Sequence, residues 1–216
     1  MAGNQAKLKL YHCPGTRSSR IVWLFKELGL DVEIEKFENL QDCRTRKGYD
    51  AISPLRRVPT LVTQHGPLIE SGAIQEYVLR TRGNGRLQPA VDSPQYQKYL
   101  MWTFFAEPTL TAHAATFKQQ TLLLPEADRI PQLVEIAVKQ LRAALAVVEA
   151  ALAEHKQDYI LGADFSAADI SLIHGLRNAH GQGNMKDFPL TTAYVERLQA
   201  RPLYKESYVP YPTPTC

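Results

Sequence analysis

Hydrophobic and polar positions at the start of the chain follow a strand–helix–strand order. Leucines alternate with polar residues over 7–11, which predicts a short strand. From 18 to 28, apolar residues recur at helical spacing, which predicts an amphipathic helix that ends at Gly29. Alternation returns over 32–35 and predicts a second strand. A βαβ unit with two parallel strands is therefore expected.

A second set of short elements follows an irregular segment. Apolar residues at 59–62 and 68–69 stand on either side of His65-Gly66-Pro67, which is the pattern of a hairpin and its turn. Residues 73–80 then show helical spacing. The order βαβ followed by ββα predicts a small mixed α/β domain over 1–85.

The rest of the chain carries helical patterns alone. Gly and Pro are frequent over 83–94, which indicates a linker. Apolar residues at helical spacing over 96–105 and 130–155 predict long helices, and no strand alternation of useful length follows. The sequence therefore predicts two domains, the α/β domain over 1–85 and an all-helical domain over 95–216.

The composition narrows the classes of function. Of 216 residues, 44% are hydrophobic and 22% are charged, which is the balance of a globular protein. A net charge of +3 is too small to favour nucleic acid or an anionic membrane as a partner. No apolar run is long enough for a membrane span, and the first residues lack the pattern of a signal peptide. Cys13, Cys43 and Cys216 lack metal-ligand spacing, so we expect a reduced, cytoplasmic protein without a metal site.

The stretch YHCPGTRSSR at 11–20 lies between the first strand and the first helix, and it holds a thiol beside several hydroxyls. A reactive Cys13 would indicate disulfide exchange with this protein as one partner. A reactive Thr16 or Ser18 would instead indicate that the reacting sulfur belongs to a bound molecule.

Val58-Pro59 stands directly before a predicted strand. An ordinary trans proline is tolerated at the first position of a strand. The alternative is a cis peptide, the minor isomer of X-Pro bonds. A cis peptide would turn the Val58 N–H and C=O outward, where they can pair with an extended ligand.

Glu70-Ser71 comes just before the helix predicted over 73–80. Ser71 suits an N-cap, and a nearby carboxylate suits the amino end of a helix. The alternative is a ligand site, in which the hydroxyl and free helix amides bind a carboxylate while Glu70 binds an ammonium. An amino acid headgroup carries both of these charges.

The stretch FSAADI at 165–170 has the pattern of a capping box, with Ser166 as N-cap and Asp169 three residues later. This pattern predicts a folding device at the start of a buried helix rather than a catalytic acid.

Four motifs occur in a recognisable order: ISPLRRVPTL at 52–61, IESGAI at 69–74, LGADFSAADI at 161–170 and RPLY at 201–204. With these motifs the chain resembles the cytosolic glutathione transferase superfamily over essentially its whole length, and its theta-like, bacterial and fungal members most. The resemblance implies a thioredoxin-like N-terminal domain, an all-helical C-terminal domain and a homodimer.

The resemblance also implies a glutathione site. The Val58 backbone, before a cis Pro59, would pair with the cysteine of glutathione. Glu70 and Ser71 would hold its γ-glutamyl group, as the charge argument suggests independently. Arg57 would reach the glycine carboxylate, and the basic run at 44–47 is an alternative for this role.

In this family the residue that activates glutathione lies at the amino end of the first helix, where amide dipoles favour a thiolate. Thr16 holds the position of a catalytic serine, four residues before Arg20. Ser18 is an alternative in the first turn of the helix. Cys13 would correspond to the cysteine of thiol transferases but lies two residues too far from Arg20. Tyr11 resembles the tyrosine of other classes.

The implied reaction is glutathione S-transferase chemistry, in which the activated thiol attacks a small hydrophobic electrophile. Phe105, Thr109 and His113, four residues apart, are expected to face the electrophile from the helical domain. One alternative is a glutathione-dependent thiol transferase that uses Cys13. Another is a non-catalytic binding module of the same fold.

Overall fold

The computed structural model describes residues 7–208, except the side chain of His155, so Cys216 lies outside the described residues. The chain divides into two compact units. One holds the residues up to Asn84 together with the segment from Pro202, and the other is Gly85–Arg201. The first unit is mixed α/β and the second is helical, which confirms the predicted fold class.

A four-stranded sheet forms the centre of the first unit, in the order β2-β1-β3-β4. Its strands are β1 (Lys9–His12), β2 (Glu33–Lys36), β3 (Thr60–Thr63) and β4 (Gly66–Ile69). β1 and β2 are parallel, and the other neighbours are antiparallel. Because Tyr11 pairs with Thr60 and Thr60 pairs with Ile69, the end of β1, the start of β3 and the end of β4 share one end of the sheet. We call it the upper end.

Helices cover the sheet of the first unit. They are α1 (Ser18–Glu27), α2 (Leu40–Thr45) and α3 (Ser71–Arg82), with a short 3₁₀ segment (Tyr49–Ala51). α1 and α3 contact each other and the sheet, and their Ile21, Leu24 and Ile74 are fully buried. Gly29 follows α1 with a φ of +61°, the left-handed backbone that lets a glycine end a helix. The predicted helix stop is confirmed.

A second group of side chains lies on the other face of β1. Tyr11 points away from the face of Leu10 and His12, since successive strand residues alternate between faces. The buried members of the group are Cys13, Phe37, Cys43 and Tyr49, with Tyr11, Ile52 and Val58 packed against them. We call this group the aromatic–thiol cluster.

The last helix, α9 (Pro202–Ser207), packs against α1 in the first unit. The Trp23 and Tyr204 rings meet edge to face at 5.2 Å, and Lys26 Nζ lies 2.6 Å from Glu206 Oε2. This differs from the helical domain expected over 95–216, which included this segment. Helical spacing predicts that α9 buries one side, but it does not say which unit receives that side.

The second unit is built from helices and short helical turns. They are α4 (Pro94–Phe105), a π-helical segment (Ala106–Thr111), α5 (Ala112–Lys118), a second π-helical segment (Gln119–Leu123), a 3₁₀ turn (Glu126–Asp128), α6 (Pro131–His155), α7 (Ala167–Gly181) and α8 (Pro189–Ala200). α7 is the most buried of them and contacts α4, α5 and α8. No helix within residues 7–208 combines the length and apolarity that crossing a bilayer requires.

The capping box predicted at α7 is present. Asp169 Oδ2 accepts hydrogen bonds from the Ser166 amide and hydroxyl at 2.7 and 2.9 Å. Its Oδ1 accepts the Ile160 amide at 3.0 Å and the Tyr194 hydroxyl at 2.5 Å. The carboxyl group is fully buried, and the burial raises its pKa. Asp169 therefore holds the start of α7 as a structural residue.

Candidate functional site at the upper end of the sheet

A polar turn connects the end of β1 to the start of α1 at the upper end of the sheet. Thr16 Oγ1 donates to the Cys13 carbonyl at 2.7 Å, and the Thr16 amide donates to the same oxygen at 3.4 Å. The side chain is half-buried. This geometry places the Thr16 hydroxyl beside the first turn of α1, at the boundary between protein and solvent.

Ser18 is the first residue of α1 and has no exposed surface. Its Oγ accepts the Cys13 amide at 3.0 Å and lies 2.8 Å from Thr16 Oγ1 and 2.7 Å from His12 Nδ1. Such a hydroxyl organises the turn. Because it is enclosed, it does not offer a donor to a bound molecule as the sequence analysis allowed.

The Cys13 thiol is fully buried in the aromatic–thiol cluster. Burial and, to a smaller degree, the nearby Cys43 raise its pKa to about 11, so the thiol stays protonated at neutral pH. Thiol–disulfide exchange needs an accessible thiolate. The environment of Cys13 thus differs from the one that the thiol transferase alternative requires.

Tyr11 is half-buried within the same cluster. Its ring lies 5.1 Å from that of Tyr49 and 6.0 Å from that of Phe37, and Lys9 Nζ lies 5.3 Å from its centre. These contacts place the Tyr11 ring beneath the loop that leads to β3.

The loop before β3 holds Val58, whose peptide bond to Pro59 is cis. The Tyr49 hydroxyl fixes this loop by donating to the Arg57 carbonyl at 2.7 Å. Val58 is half-buried against the aromatic–thiol cluster. Within residues 7–208, no protein group forms a hydrogen bond with the Val58 amide or carbonyl. This backbone unit is available to an extended ligand at the upper end.

Glu70 and Ser71 form a corner between β4 and α3. Glu70 has φ +70° and ψ 113°, a conformation that non-glycine residues rarely adopt and that is found preferentially at functional sites. Its exposed carboxylate has no partner among the described residues. Ser71 is 3% exposed, and its hydroxyl accepts a hydrogen bond from Arg20. Ser71 is the first residue of α3 and makes no capping bond, contrary to the N-cap expectation.

The two arginines considered for the glycine carboxylate have different surroundings. Arg46, from the basic run at 44–47, forms ion pairs with Glu35 at 2.9 Å and Asp42 at 2.6 Å. The Arg57 guanidinium is exposed and has no partner within the described chain. Of these two cations, Arg57 is the one that remains available to a ligand carboxylate.

The upper end thus gathers most of the predicted site residues. The register of β1, β3 and β4 brings the Thr16 turn, the Val58 backbone and the Glu70-Ser71 corner to the same end of the sheet. The hydrogen bond from Arg20 to Ser71 joins α1, the helix that follows the Thr16 turn, to the Glu70-Ser71 corner. Sequence reasoning used Arg20 only as a landmark and missed His12. The alternation Leu8, Leu10, His12 is the signal that marks His12 as buried.

The residues expected to face an electrophile lie in the second unit. Phe105 ends α4 and packs edge to face on Trp102 at 5.2 Å. Thr109 is exposed, whereas Phe105 and His113 are half-buried. A π-helical segment separates them, because Pro108 has no N–H for the regular α-helical bond. The three positions differ in exposure, and their orientation toward an electrophile stays a prediction.

Carboxylates, imidazoles and thiols also indicate where a metal would bind. Within residues 7–208, no group of three or more His, Cys, Asp or Glu side chains is arranged to hold a metal ion.

Comparisons with known proteins point to one family. The N-terminal domain of glutathione S-transferase matches residues 6–80, and the C-terminal domain of glutathione S-transferase matches residues 126–206. A glutathione transferase structure from Methylococcus capsulatus str. bath superimposes with a TM-score of 0.79 at 27% identity, covering 93% of this chain and 97% of that one.

Proteins with a similar sequence include glutathione S-transferases and an elongation factor 1-gamma. Glutathione S-transferase 3 of Schizosaccharomyces pombe is 35% identical over 47% of this chain and 41% of its own length. Glutathione S-transferase 2 of the same yeast is 26% identical over 94% of this chain and 95% of its length. Elongation factor 1-gamma 1 of Oryza sativa subsp. japonica is 26% identical over 78% of this chain, which spans 39% of that protein.

Proposed function

Because this chain belongs to the cytosolic glutathione transferase superfamily, we propose that it binds glutathione at the upper end of the sheet and activates its thiol. The activated sulfur attacks an electrophilic carbon of a small hydrophobic molecule, and the leaving group departs with the bonding electrons. The single observation that carries the proposal is the Glu70-Ser71 corner, with its unpaired carboxylate beside an uncapped helix.

Glutathione offers a matching group for each part of the site. Its γ-glutamyl headgroup carries an ammonium, which Glu70 binds, and a carboxylate, which accepts from the Ser71 hydroxyl and the first amides of α3. The Ser71 oxygen already accepts from Arg20, so its own hydrogen is left for the ligand. The Val58 backbone pairs with the peptide of the glutathione cysteine, and Arg57 binds the glycine carboxylate.

Thr16 is the activating residue in this proposal. A free thiol has a pKa of about 8.5, so only a small fraction is thiolate at neutral pH. A hydroxyl that donates to the sulfur and the partial positive charge at the amino end of α1 both stabilise the thiolate. The half-buried position of the Thr16 hydroxyl supports this role over the enclosed Ser18 and Cys13.

Calorimetric titration with glutathione tests the binding site. Glu70→Gln and Ser71→Ala are expected to weaken binding at least about tenfold, since each loses a hydrogen bond to a charged group. Asp31→Asn, at the opposite end of the sheet and also exposed, removes the same charge and is expected to bind as the wild type does. Unchanged affinity in both corner variants would contradict the proposed site.

Conjugation of glutathione to chlorodinitrobenzene, followed by absorbance, separates the enzyme from the alternatives. Chloride leaves as the sulfur–carbon bond forms, so turnover reports the proposed chemistry directly. The match to elongation factor 1-gamma favours a second candidate, a non-catalytic binding module. That candidate predicts glutathione binding without turnover against a panel of aryl halides and enones.

Cys13→Ser separates the thiol transferase alternative from the conjugating enzyme. Conjugation is expected to survive this substitution, because the buried thiol contacts no substrate in our proposal. Loss of conjugation together with loss of glutathione–disulfide exchange would favour Cys13 chemistry. We further propose that the protein acts in the cytoplasm as a homodimer, and sedimentation at micromolar concentration tests the dimer.

A further inference from the structure

A chain of three polar side chains runs from the interior of the first unit to the proposed sulfur site. His12 Nδ1 lies 2.7 Å from Ser18 Oγ, and Ser18 Oγ lies 2.8 Å from Thr16 Oγ1. His12 and Ser18 are buried, with exposed fractions of 7% and 0%, whereas Thr16 is half-buried. Thr16 is therefore the end of the chain that a bound thiol can reach.

The number of hydrogens on each side chain restricts the direction of the hydrogen bonds among His12, Ser18 and Thr16. A hydroxyl donates one hydrogen bond and accepts up to two. Ser18 Oγ already accepts the Cys13 amide at 3.0 Å, which leaves it one more bond to accept and one to donate. His12 Nδ1 and Thr16 Oγ1 are both close enough for short bonds, and the Cys13 carbonyl lies 3.0 Å away. The position of the imidazole hydrogen decides how Ser18 is oriented.

His12 carries a single ring hydrogen at neutral pH. Burial and the nearby Lys36 lower its pKa to about 4, so the imidazole is neutral. If the hydrogen is on Nε2, Ser18 must donate to Nδ1. Once Thr16 donates to a bound sulfur, no hydrogen is then left between Ser18 Oγ and Thr16 Oγ1, and two lone pairs face each other at 2.8 Å. If the hydrogen is on Nδ1, each contact in the chain contains one hydrogen.

We propose that His12 and Ser18 are positioning residues for glutathione activation: His12 donates from Nδ1 to Ser18, Ser18 donates to Thr16, and the Thr16 hydrogen is directed to the glutathione sulfur. This inference rests on the proposed function and extends it. The chain orients hydrogens without transferring them, and the proton of the glutathione thiol leaves to solvent. In this structure, Thr16 directs the same hydrogen to the Cys13 carbonyl at 2.7 Å.

The tautomer of His12 can be measured in the wild-type protein. A long-range proton–nitrogen correlation spectrum of histidine-labelled protein distinguishes Nδ1–H from Nε2–H, and the His12 signals are those lost in His12→Asn. In the presence of glutathione, we expect a neutral ring with its hydrogen on Nδ1. A ring with its hydrogen on Nε2, or a charged ring, would overturn the proposal without any variant.

Substitutions test the consequence for the bound thiol. The pKa of bound glutathione is read from its ultraviolet thiolate absorbance across pH. Ser18→Ala and His12→Phe are expected to raise it by about one, the value of a lost hydrogen bond to a charged group. His12→Asn keeps a donor near the position of Nδ1 and is expected to preserve the wild-type value. Ser19→Ala is the matched control. Ser19 Oγ accepts the Gly15 amide in the same turn but takes no part in the hydrogen bonds among His12, Ser18 and Thr16.

The results separate two kinds of failure. A thiolate signal that disappears in Thr16→Val but is unchanged in Ser18→Ala and His12→Phe would overturn the role of the chain and leave the proposed function standing. A wild type whose bound glutathione titrates like the free thiol would overturn both. A wild-type pKa of bound glutathione in His12→Asn together with a raised pKa in His12→Phe supports the positioning role of His12. A purely space-filling role would instead favour phenylalanine.

Discussion

The amino ends of α7 and α8 in the second unit differ from those of α1 and α3 in the first unit. At α7 and α8 the protein supplies a carboxylate to the amino end. Asp169 bonds to the start of α7, and Glu149 of α6 accepts the Leu190 and Thr191 amides at 2.9 and 2.7 Å at the start of α8. In the first unit, the N-cap residues of α1 and α3 make no side-chain capping bond, and neither helix has an acidic residue in its first turn.

At these four helices, the difference separates amino ends that the protein itself supplies with an anion from ends that are open to a bound anion. An amino end carries unpaired N–H groups and a partial positive charge, which favour an anion. In α7 and α8 the anion belongs to the protein, so these ends contribute to stability. α1 and α3 begin at the upper end of the sheet, where we propose that a thiolate and a carboxylate of glutathione take the same role. The contrast predicts which substitutions change folding and which change binding.

Asp169→Ala is expected to have the largest effect. It leaves the Ser166 amide and hydroxyl, the Ile160 amide and the Tyr194 hydroxyl without their acceptor in the core. We expect the free energy of unfolding to fall by about 4 kcal/mol, the scale on which broken buried polar networks destabilise proteins. Urea unfolding followed by circular dichroism measures the change.

Ser166→Ala serves as the graded control for this prediction. It removes the N-cap side chain and leaves the carboxylate in place, so a loss of about 1 kcal/mol is expected. Glutathione affinity of the folded fraction should be unchanged in both variants. A loss below that of Ser166→Ala, or a weakened affinity, would contradict the structural role assigned to Asp169.

The stability of the first unit is expected to fall in acid because of His12. The unfolded chain binds a proton on this side chain near pH 6.5, whereas the folded protein does so only at about 4. The stabilisation is complete above pH 6.5 and is lost as pH falls toward 4. Linkage gives a loss of about 2 kcal/mol between pH 7 and pH 5 from this group.

Urea unfolding of the wild type and His12→Asn at these two pH values isolates the contribution. The variant lacks the titrating group, so its stability should depend less steeply on pH. His65→Asn is the control, since His65 is exposed and lies in the β3–β4 turn. Equal pH dependence in the wild type and His12→Asn would show that the His12 imidazole is not held neutral by the fold.

Much of the first unit follows from local sequence patterns. The alternation around Leu10, the helical spacing after Ser18 and the stop at Gly29 each depend on neighbours within a few residues. The same holds for the capping box of Ser166 and Asp169, which is present as predicted. Local sequence patterns are therefore sufficient to predict features that depend on a single helix or strand.

Other features depend on contacts between distant segments. The hydrogen bond from Arg20 to Ser71 joins residues 51 positions apart, and the burial of Cys13 depends on Phe37, Cys43 and Tyr49. In the second unit, a π-helical segment around Pro108 changes the spacing that a regular helix implies. Such features depend on the folded arrangement. The sequence alone therefore did not decide whether a hydroxyl or a thiol activates glutathione.

Thr16→Val tests the open end of α1. It removes the hydroxyl and keeps the shape of the side chain, so we expect the thiolate fraction of bound glutathione and kcat/KM for conjugation at neutral pH to fall about tenfold. Thr63→Val is the matched control, because Thr63 Oγ1 also donates to a carbonyl, that of Gly66, at the opposite end of the sheet. A similar fall in both variants would indicate a general loss of stability instead.

Glu149→Gln has the smallest expected effect. It tests a helix end to which the protein itself supplies the carboxylate. The carboxylate accepts three hydrogen bonds at the start of α8, including the Thr191 hydroxyl at 2.6 Å. The amide keeps an acceptor but loses the charge, so unfolding should become easier by about 1 kcal/mol. Glutathione affinity and the thiolate fraction should stay at the wild-type values. If Glu149→Gln weakened glutathione binding to the extent that Thr16→Val weakens activation, the two kinds of helix end would not differ in function. An end supplied with a protein carboxylate would then affect ligand binding as well as stability.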